Sequence, residues 1–190
     1  LHKEGKLNEL QARPFALRRP PEELYDLQSD PHELVNLAGM PKHKKQLAAM
    51  RNVLYRWMTE TRDVGLIPEP ILEDVGREAG NKYLGFRDTD RSGQTRRLID
   101  VITAGEANES AMLLEYAKSP DPSTRYWAAV WLGVNKSNES KTTLLELSTD
   151  PVPAIRVAAA QALCKLGELS QLKLLIKHIN DSNLLVGMFA

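Results

Sequence analysis

Apolar positions recur every three or four residues over much of this chain, and strict alternation is nearly absent. Leu47, Met50, Leu54, Trp57 and Met58 mark one face over residues 41–62, so a long amphipathic helix is expected there, with Pro41 at its first position. Leu7, Leu10, Phe15 and Leu17 lie among charges in residues 1–19, predicting a helix over about 3–12 and a link through Arg13-Pro14. Within 22–38, Leu24, Tyr25 and Leu27 around Asp26 fit a short strand, with Tyr25 and Leu27 on one face. Asp30-Pro31 then sets a turn, with Asp30 expected to accept from the backbone two residues on. Residues 32–38 read as a short helical or turn-like stretch. Gly65, Pro68, Pro70, Gly76, Gly80 and Gly85 interrupt the segment 63–92, leaving room for a short helix near 70–79.

From about residue 93 onward the pattern repeats. A shift of 31 residues carries Pro122 onto Pro153, Arg125 onto Arg156, Ala128 onto Ala159, Leu132 onto Leu163, Leu144 onto Leu175 and Asp150 onto Asp181. Leu113 and Leu114 stand one period before Leu144 and Leu145, a fainter upstream copy. Such repeats are supersecondary units that bury their apolar faces by stacking. Each unit is predicted to be a helix pair: 123–134 with 139–148, then 153–166 with 169–179. Alanine pairs let the helices approach closely and leucines fill the space between them. The last copy stops inside 183–190 with no polar capping repeat, so the array is expected to be truncated at its C-terminus. Trp127 and Trp131, four apart with Tyr126 beside them, suit either an aromatic binding surface or a buried seam between repeats, and the seam is favoured.

Composition narrows the function classes. The 190 residues suit one ordinary domain or two small ones, and 25 basic side chains balance 25 acidic ones. No global basic signal for nucleic acid exists, and no stretch approaches the roughly 20 apolar residues of a membrane span. Cys164, the single cysteine, excludes an internal disulfide and reads as a small core residue. His2, His32, His43 and His178 are scattered, without the spacing of a metal site. Asp26, Asp30 and Glu33 are close enough in sequence to hold a cation, but turn formation accounts for Asp30 more economically. Lys42, Lys44 and Lys45 read as a solvated helix face rather than an anion site.

The run Glu22-Glu-Leu-Tyr-Asp-Leu-Gln-Ser-Asp-Pro-His-Glu-Leu-Val-Asn-Leu-Ala38 closely resembles the C-terminal signature of the sulfatase family, alkaline-phosphatase-like hydrolases of sulfate esters. Residues 63–69, Asp-Val-Gly-Leu-Ile-Pro-Glu, resemble the segment after the final helix in some members. Downstream, Asp121-Pro-Ser-Thr-Arg125 and Asp150-Pro-Val-Pro-Ala-Ile-Arg156 resemble the links of short HEAT-like repeats, although the Asp-to-Arg spacing differs by two between the copies. The implied architecture is mainly α. A sulfatase C-terminal segment (1–69, with a short strand and one long helix) leads through a linker (70–92) into a HEAT-like solenoid (93–190).

The resemblance implies a parent enzyme that uses calcium and a formylglycine, made from the first residue of a Cys/Ser-x-Pro-x-Arg motif. Cys164 is followed by Lys-Leu-Gly-Glu, and in Ser29-Asp-Pro-His-Glu33 a glutamate stands where arginine is required. No catalytic, metal-binding or cofactor-binding residue is therefore assigned, and this segment by itself is expected to be inactive. The resemblance further implies that residues 20–40 dock onto a catalytic domain of the same parent chain, and that Arg18, Arg19 and His32 are candidates to border a sulfated carbohydrate. For these three a solvated or structural role is favoured. It implies a periplasmic or secreted parent. In the repeats it implies that Arg125 and Arg156 pair with acidic loop residues of neighbouring units, with Asp150 and Asp181 singled out beside them. A different class of function, a non-catalytic repeat module that binds a protein, stays open.

Overall fold

A computed structural model describes residues 1–16, 19–82, 85 and 92–190, and the chain divides into two compact units, Leu1–Leu54 and Tyr55–Ala190. Among the described residues the regular structure is helical, with no strand.

In the first unit the helix expected over 3–12 shortens to α1, Glu9–Ala12. It is held by a capping box: Asn8 accepts from the Gln11 amide at 2.9 Å, and the Gln11 side chain accepts from the Asn8 amide at 3.1 Å. The strand expected around Leu24 to Leu27 does not form. Its backbone is satisfied one group at a time. The Leu24 amide donates to Asn36 Oδ1 (3.0 Å), the Leu37 amide donates to the Leu24 carbonyl (2.8 Å), and Asn36 Nδ2 donates to the Glu22 carbonyl (3.1 Å). A side-chain amide has taken the place of a partner strand, so no ladder propagates. The inward residue is Leu24; Leu27 is 61% exposed.

A short 3-10 turn, Pro41–His43, opens α2, Lys44–Thr61. The division between the two units falls within this helix. Its apolar stripe is largely uncovered: Met58 is buried, while Met50, Leu54 and Trp57 stay half exposed and Val53 is exposed as well.

The second unit is a stack of helix pairs with one further helix against it. That helix is α3, Glu69–Glu78, followed by α4, Ser92–Glu106, and α5, Ser110–Tyr116. Then come α6, Pro122–Val134, α7, Lys141–Leu147, α8, Pro153–Lys165, and α9, Leu172–His178. The last is α10, Leu184–Phe189. The starts of α6, α8 and α10 fall one 31-residue period apart, as do those of α5, α7 and α9. Each first helix ends the same way. The amides of Glu109, Ser137 and Glu168 reach back five residues to the carbonyls of Ala104, Leu132 and Leu163. Asn108, Lys136 and Gly167 supply the left-handed residue just before (φ 58°, 52° and 92°).

Helix α8 is the centre of the stack, and eight of its residues are buried. Ile155, Ala158, Ala159, Ala162 and Leu163 join the cluster formed with α4 to α7, whereas Ala154, Val157 and Ala160 join Ile67, Ile71, Leu98, Leu175 and Val186. A helix apolar on all sides belongs between two packed surfaces. Small side chains set the spacing: a Cβ on Gly133 would lie 2.6 Å from that of Ala162. Helix α3 is tied down by Trp127, whose Nε1 donates to the Leu66 carbonyl at 2.7 Å just before it. It is also tied by Asn183, 2% exposed, which donates to the Pro70 carbonyl at 2.9 Å and to Asp74 at 2.8 Å.

Candidate functional site

In the first unit the sulfatase-like run is a set of nested turns built by side chains. Asp26 accepts from the Gln28 amide (3.1 Å) and the Ser29 hydroxyl (2.9 Å). Asp30 accepts from the amides of Leu34 (3.0 Å) and Val35 (2.8 Å), four and five residues on rather than two. Those two amides hold the Asp30 carboxyl below the ordinary aspartate range, and the Ser29 hydroxyl does the same for Asp26. Glu33 takes φ 55° to close the loop. Glu22 anchors the run to α2. Arg51 Nε donates to Glu22 Oε1 at 2.6 Å and Nη2 to Oε2, and this bidentate pair lowers the Glu22 carboxyl below its usual value.

Beside these turns lies an open cavity of about 360 Å³. Arg13, Arg19, Tyr25, Glu23 and Asn36 line it, with Pro14, Ala16 and Pro20 as apolar walls. Arg13 donates to the Leu34 carbonyl, and the Tyr25 hydroxyl donates to Glu23 at 3.2 Å. Two guanidinium groups against one carboxylate give the cavity a cationic balance, and planar donors suit sulfate or carboxylate oxygens. Of the three substrate-border candidates, Arg19 lines this cavity. His32 is exposed and does not line it, and Arg18 lies outside the described residues. Arg13 was not singled out from sequence, because Arg13-Pro14 read as a link.

The second unit carries a ladder of polar contacts along the inter-repeat links. Arg125 Nε and Nη2 donate to the two oxygens of Asp150 (2.8 and 3.2 Å), and Nη1 donates to the carbonyls of Ser119 and Pro120 (2.9 and 3.1 Å). One period on, Arg156 Nη1 reaches the carbonyls of Asp150 and Pro151 (2.8 and 3.0 Å). Its Nε, however, meets His178 Nε2 at 3.2 Å, and His178 Nδ1 meets Asp181 at 2.9 Å. The imidazole stands between the guanidinium and its acidic partner. Burial opposes ionisation of Asp181, but the Asn183 amide and His178 outweigh it and hold the carboxyl low. One period upstream, Gln94 takes the arginine's position and donates to Asp121 at 2.7 Å.

The aromatic candidates are half-buried. Tyr126 and Trp127 meet edge to face at 5.6 Å, and the Trp131 ring lies against Gly105. Cys164 is half-buried, and desolvation pushes its thiol up, away from the range of a reactive thiolate. Among the described residues no three His, Cys, Asp or Glu side chains converge into a group that could hold a metal ion. No described helix is long and apolar enough to cross a membrane.

Residues 110–186 match the family model of HEAT repeats. The match supports the reading of these helix pairs as helical repeats similar to HEAT units over that span. A stretch of 69 residues is 46% identical to the Ulvan-active sulfatase of Formosa agariphila, covering 36% of this chain. The chain spans 12% of the length of that curated relative. No solved structure matches the chain.

Proposed function

We propose that this chain is the C-terminal part of a sulfuric ester hydrolase, without the catalytic centre itself, carrying HEAT-type repeats for domain packing or protein binding. The observation that carries this reading is the 46% identity to a sulfatase over 69 residues. The sulfatase-like run from Glu22 to Ala38 agrees with it. In the whole enzyme the turns built by Asp26, Asp30 and Asn36 dock on the catalytic domain. That domain covers Leu27 and Val35, which are 61% and 51% exposed. The cavity of Arg13 and Arg19 borders the anionic substrate, a sulfated carbohydrate. Its guanidinium groups bind the charge, and its proline and alanine walls meet the sugar face.

The test is hydrolysis of a generic aryl sulfate with calcium, by this chain and by the longer polypeptide that includes a catalytic domain. Turnover by the longer polypeptide alone is expected. Turnover by this chain alone overturns its assignment as a tail, and turnover by neither overturns the sulfatase reading. Arg19→Ala in the active polypeptide is expected to raise KM for a sulfated oligosaccharide while leaving aryl sulfate turnover unchanged. The HEAT-type match is consistent with a second reading, a protein-binding array, which concerns the repeats and is compatible with the first.

A further inference from the structure

His178 stands in the polar ladder where the preceding repeat has an apolar residue. One period before it is Leu147, and there Arg125 reaches Asp150 directly. In the next register the imidazole is interposed. Arg156 Nε donates to His178 Nε2 at 3.2 Å. A guanidinium accepts nothing, so Nε2 must present its lone pair. The ring proton is therefore on Nδ1, where it donates to Asp181 Oδ2 at 2.9 Å. Both nitrogens are committed, the side chain is only 7% exposed, and the ring in this arrangement is neutral.

A proton added to Nε2 would set one N–H donor against another and place an imidazolium beside a guanidinium. The same proton strengthens the Asp181 contact, which becomes charge-assisted. Protonation thus trades a bond between α8 and the far end of α9 for a bond between residues three apart. The surrounding charges do not reverse this. On α8, Lys165 lies more than two turns beyond Arg156, and on α9 Lys173 and Lys177 are exposed. Asp150 turns its carboxylate to Arg125 and only its carbonyl to Arg156. On α3, Asp74 is taken up by Asn183 at 2.8 Å, and α10 has no ionisable side chain.

We propose that Arg156, His178 and Asp181 form an acid-released latch, which ties the link into α10 to α8 while the imidazole is neutral and lets it go when Nε2 is protonated. Imidazole is the side chain that ordinarily changes charge between about pH 8 and 5. The Arg125–Asp150 pair contains none, so the joint one period upstream stays closed. Asp181 passes the change on. Its Oδ1 accepts from the Asn183 amide at 3.0 Å, and Asn183 in turn holds the Pro70 carbonyl and Asp74 of α3. Val186 keeps α10 in the apolar cluster with Val157 and Ala160. Release therefore loosens the link and α10 without unfolding the array.

Hydrogen exchange of the 190-residue chain, corrected for the intrinsic pH dependence of amide exchange, tests this between about pH 7.5 and 5.5. On acidification the amides of residues 178–189 should lose protection by about tenfold, the weight of one hydrogen bond to a charged group, while those of α6 keep theirs. His178→Gln offers Arg156 an acceptor and Asp181 a donor but takes no proton, so the drop should vanish. Imidazole nitrogen shifts of the unsubstituted chain should show the proton on Nδ1 at the upper pH and protons on both nitrogens at the lower; this measurement needs no variant to fold. A proton on Nε2 at the upper pH overturns the proposal, as does a ring that stays neutral across the range. So does a loss of protection shared equally by α6, or an unchanged drop in a folded His178→Gln protein.

Discussion

Arg125 and Asp150 form a bidentate pair across adjacent repeats, with side chains only 15% and 7% exposed. Asp150 serves both partners. Its Oδ1 also accepts from the Val152 amide at 2.9 Å, shaping the link into α8. Arg125→Ala leaves that carboxylate buried without its counter-charge and frees the carbonyls of Ser119 and Pro120. A loss of about 3–5 kcal/mol is expected in urea unfolding. Arg156→Ala should cost less and lower the melting temperature, because His178 still holds Asp181. An unchanged transition in both variants would remove the ladder from the account of stability.

Lys136 takes φ 52° at the end of α6, where Gly167 takes φ 92° one period on. A left-handed conformation costs a non-glycine residue about 1 kcal/mol, and Lys136 is exposed. Lys136→Gly is expected to stabilise the protein by about 0.5–1 kcal/mol, the entropy of the unfolded chain taking back part of the gain. A melting temperature lower than that of the parent chain would contradict this.

Gly105 is buried under the ring of Trp131, and a Cβ there would run into the indole. Its carbonyl also accepts from Asn135 Nδ2 at 3.0 Å, so the backbone cannot withdraw easily. Gly105→Ala should destabilise by about 1–3 kcal/mol through overpacking. Tryptophan emission should shift as the ring is displaced. Wild-type stability with unaltered emission would mean that the seam has slack.

The Glu22–Arg51 pair predicts the acid response of the first unit. Arg51 holds the native Glu22 carboxyl below its unfolded value. Its contribution is therefore complete above the ordinary glutamate value near 4.5 and is lost as pH falls through the depressed native one. Glu22→Gln should lower stability at neutral pH and flatten the loss between about pH 5 and 3. Thermal melts of both proteins across that range would check it, and parallel curves would refute it.

Much of the repeat array was legible in sequence, because helices that stack at a fixed period repeat their core residues at that period. Ala128 with Ala159 and Leu132 with Leu163 mark it, and α6 and α8 begin within a residue of their expected starts. The unequal Asp-to-Arg spacing was legible but not interpretable. Asp121 caps its own helix, accepting from the Thr124 amide at 2.9 Å, while Asp150 occupies the earlier register position of Ser119. That offset aims Asp150 at the arginine of the preceding repeat, a relation between two links that no single link reveals.

The first unit shows the opposite case. Apolar residues around Asp26 look like a strand, yet a strand exists only where another backbone answers it. Here the Asn36 side chain and the Leu37 amide do so singly. The amphipathic stripe of α2 was visible as a pattern, but whether it is covered depends on what packs there, and periodicity does not encode that. The cavity of Arg13 and Arg19 brings together residues on both sides of a turn with Tyr25 and Asn36. Local sequence thus determined the helices and their period, since both follow from short-range spacing. Tertiary structure decided which polar groups meet and which apolar faces stay open, since those depend on chain segments far apart in sequence.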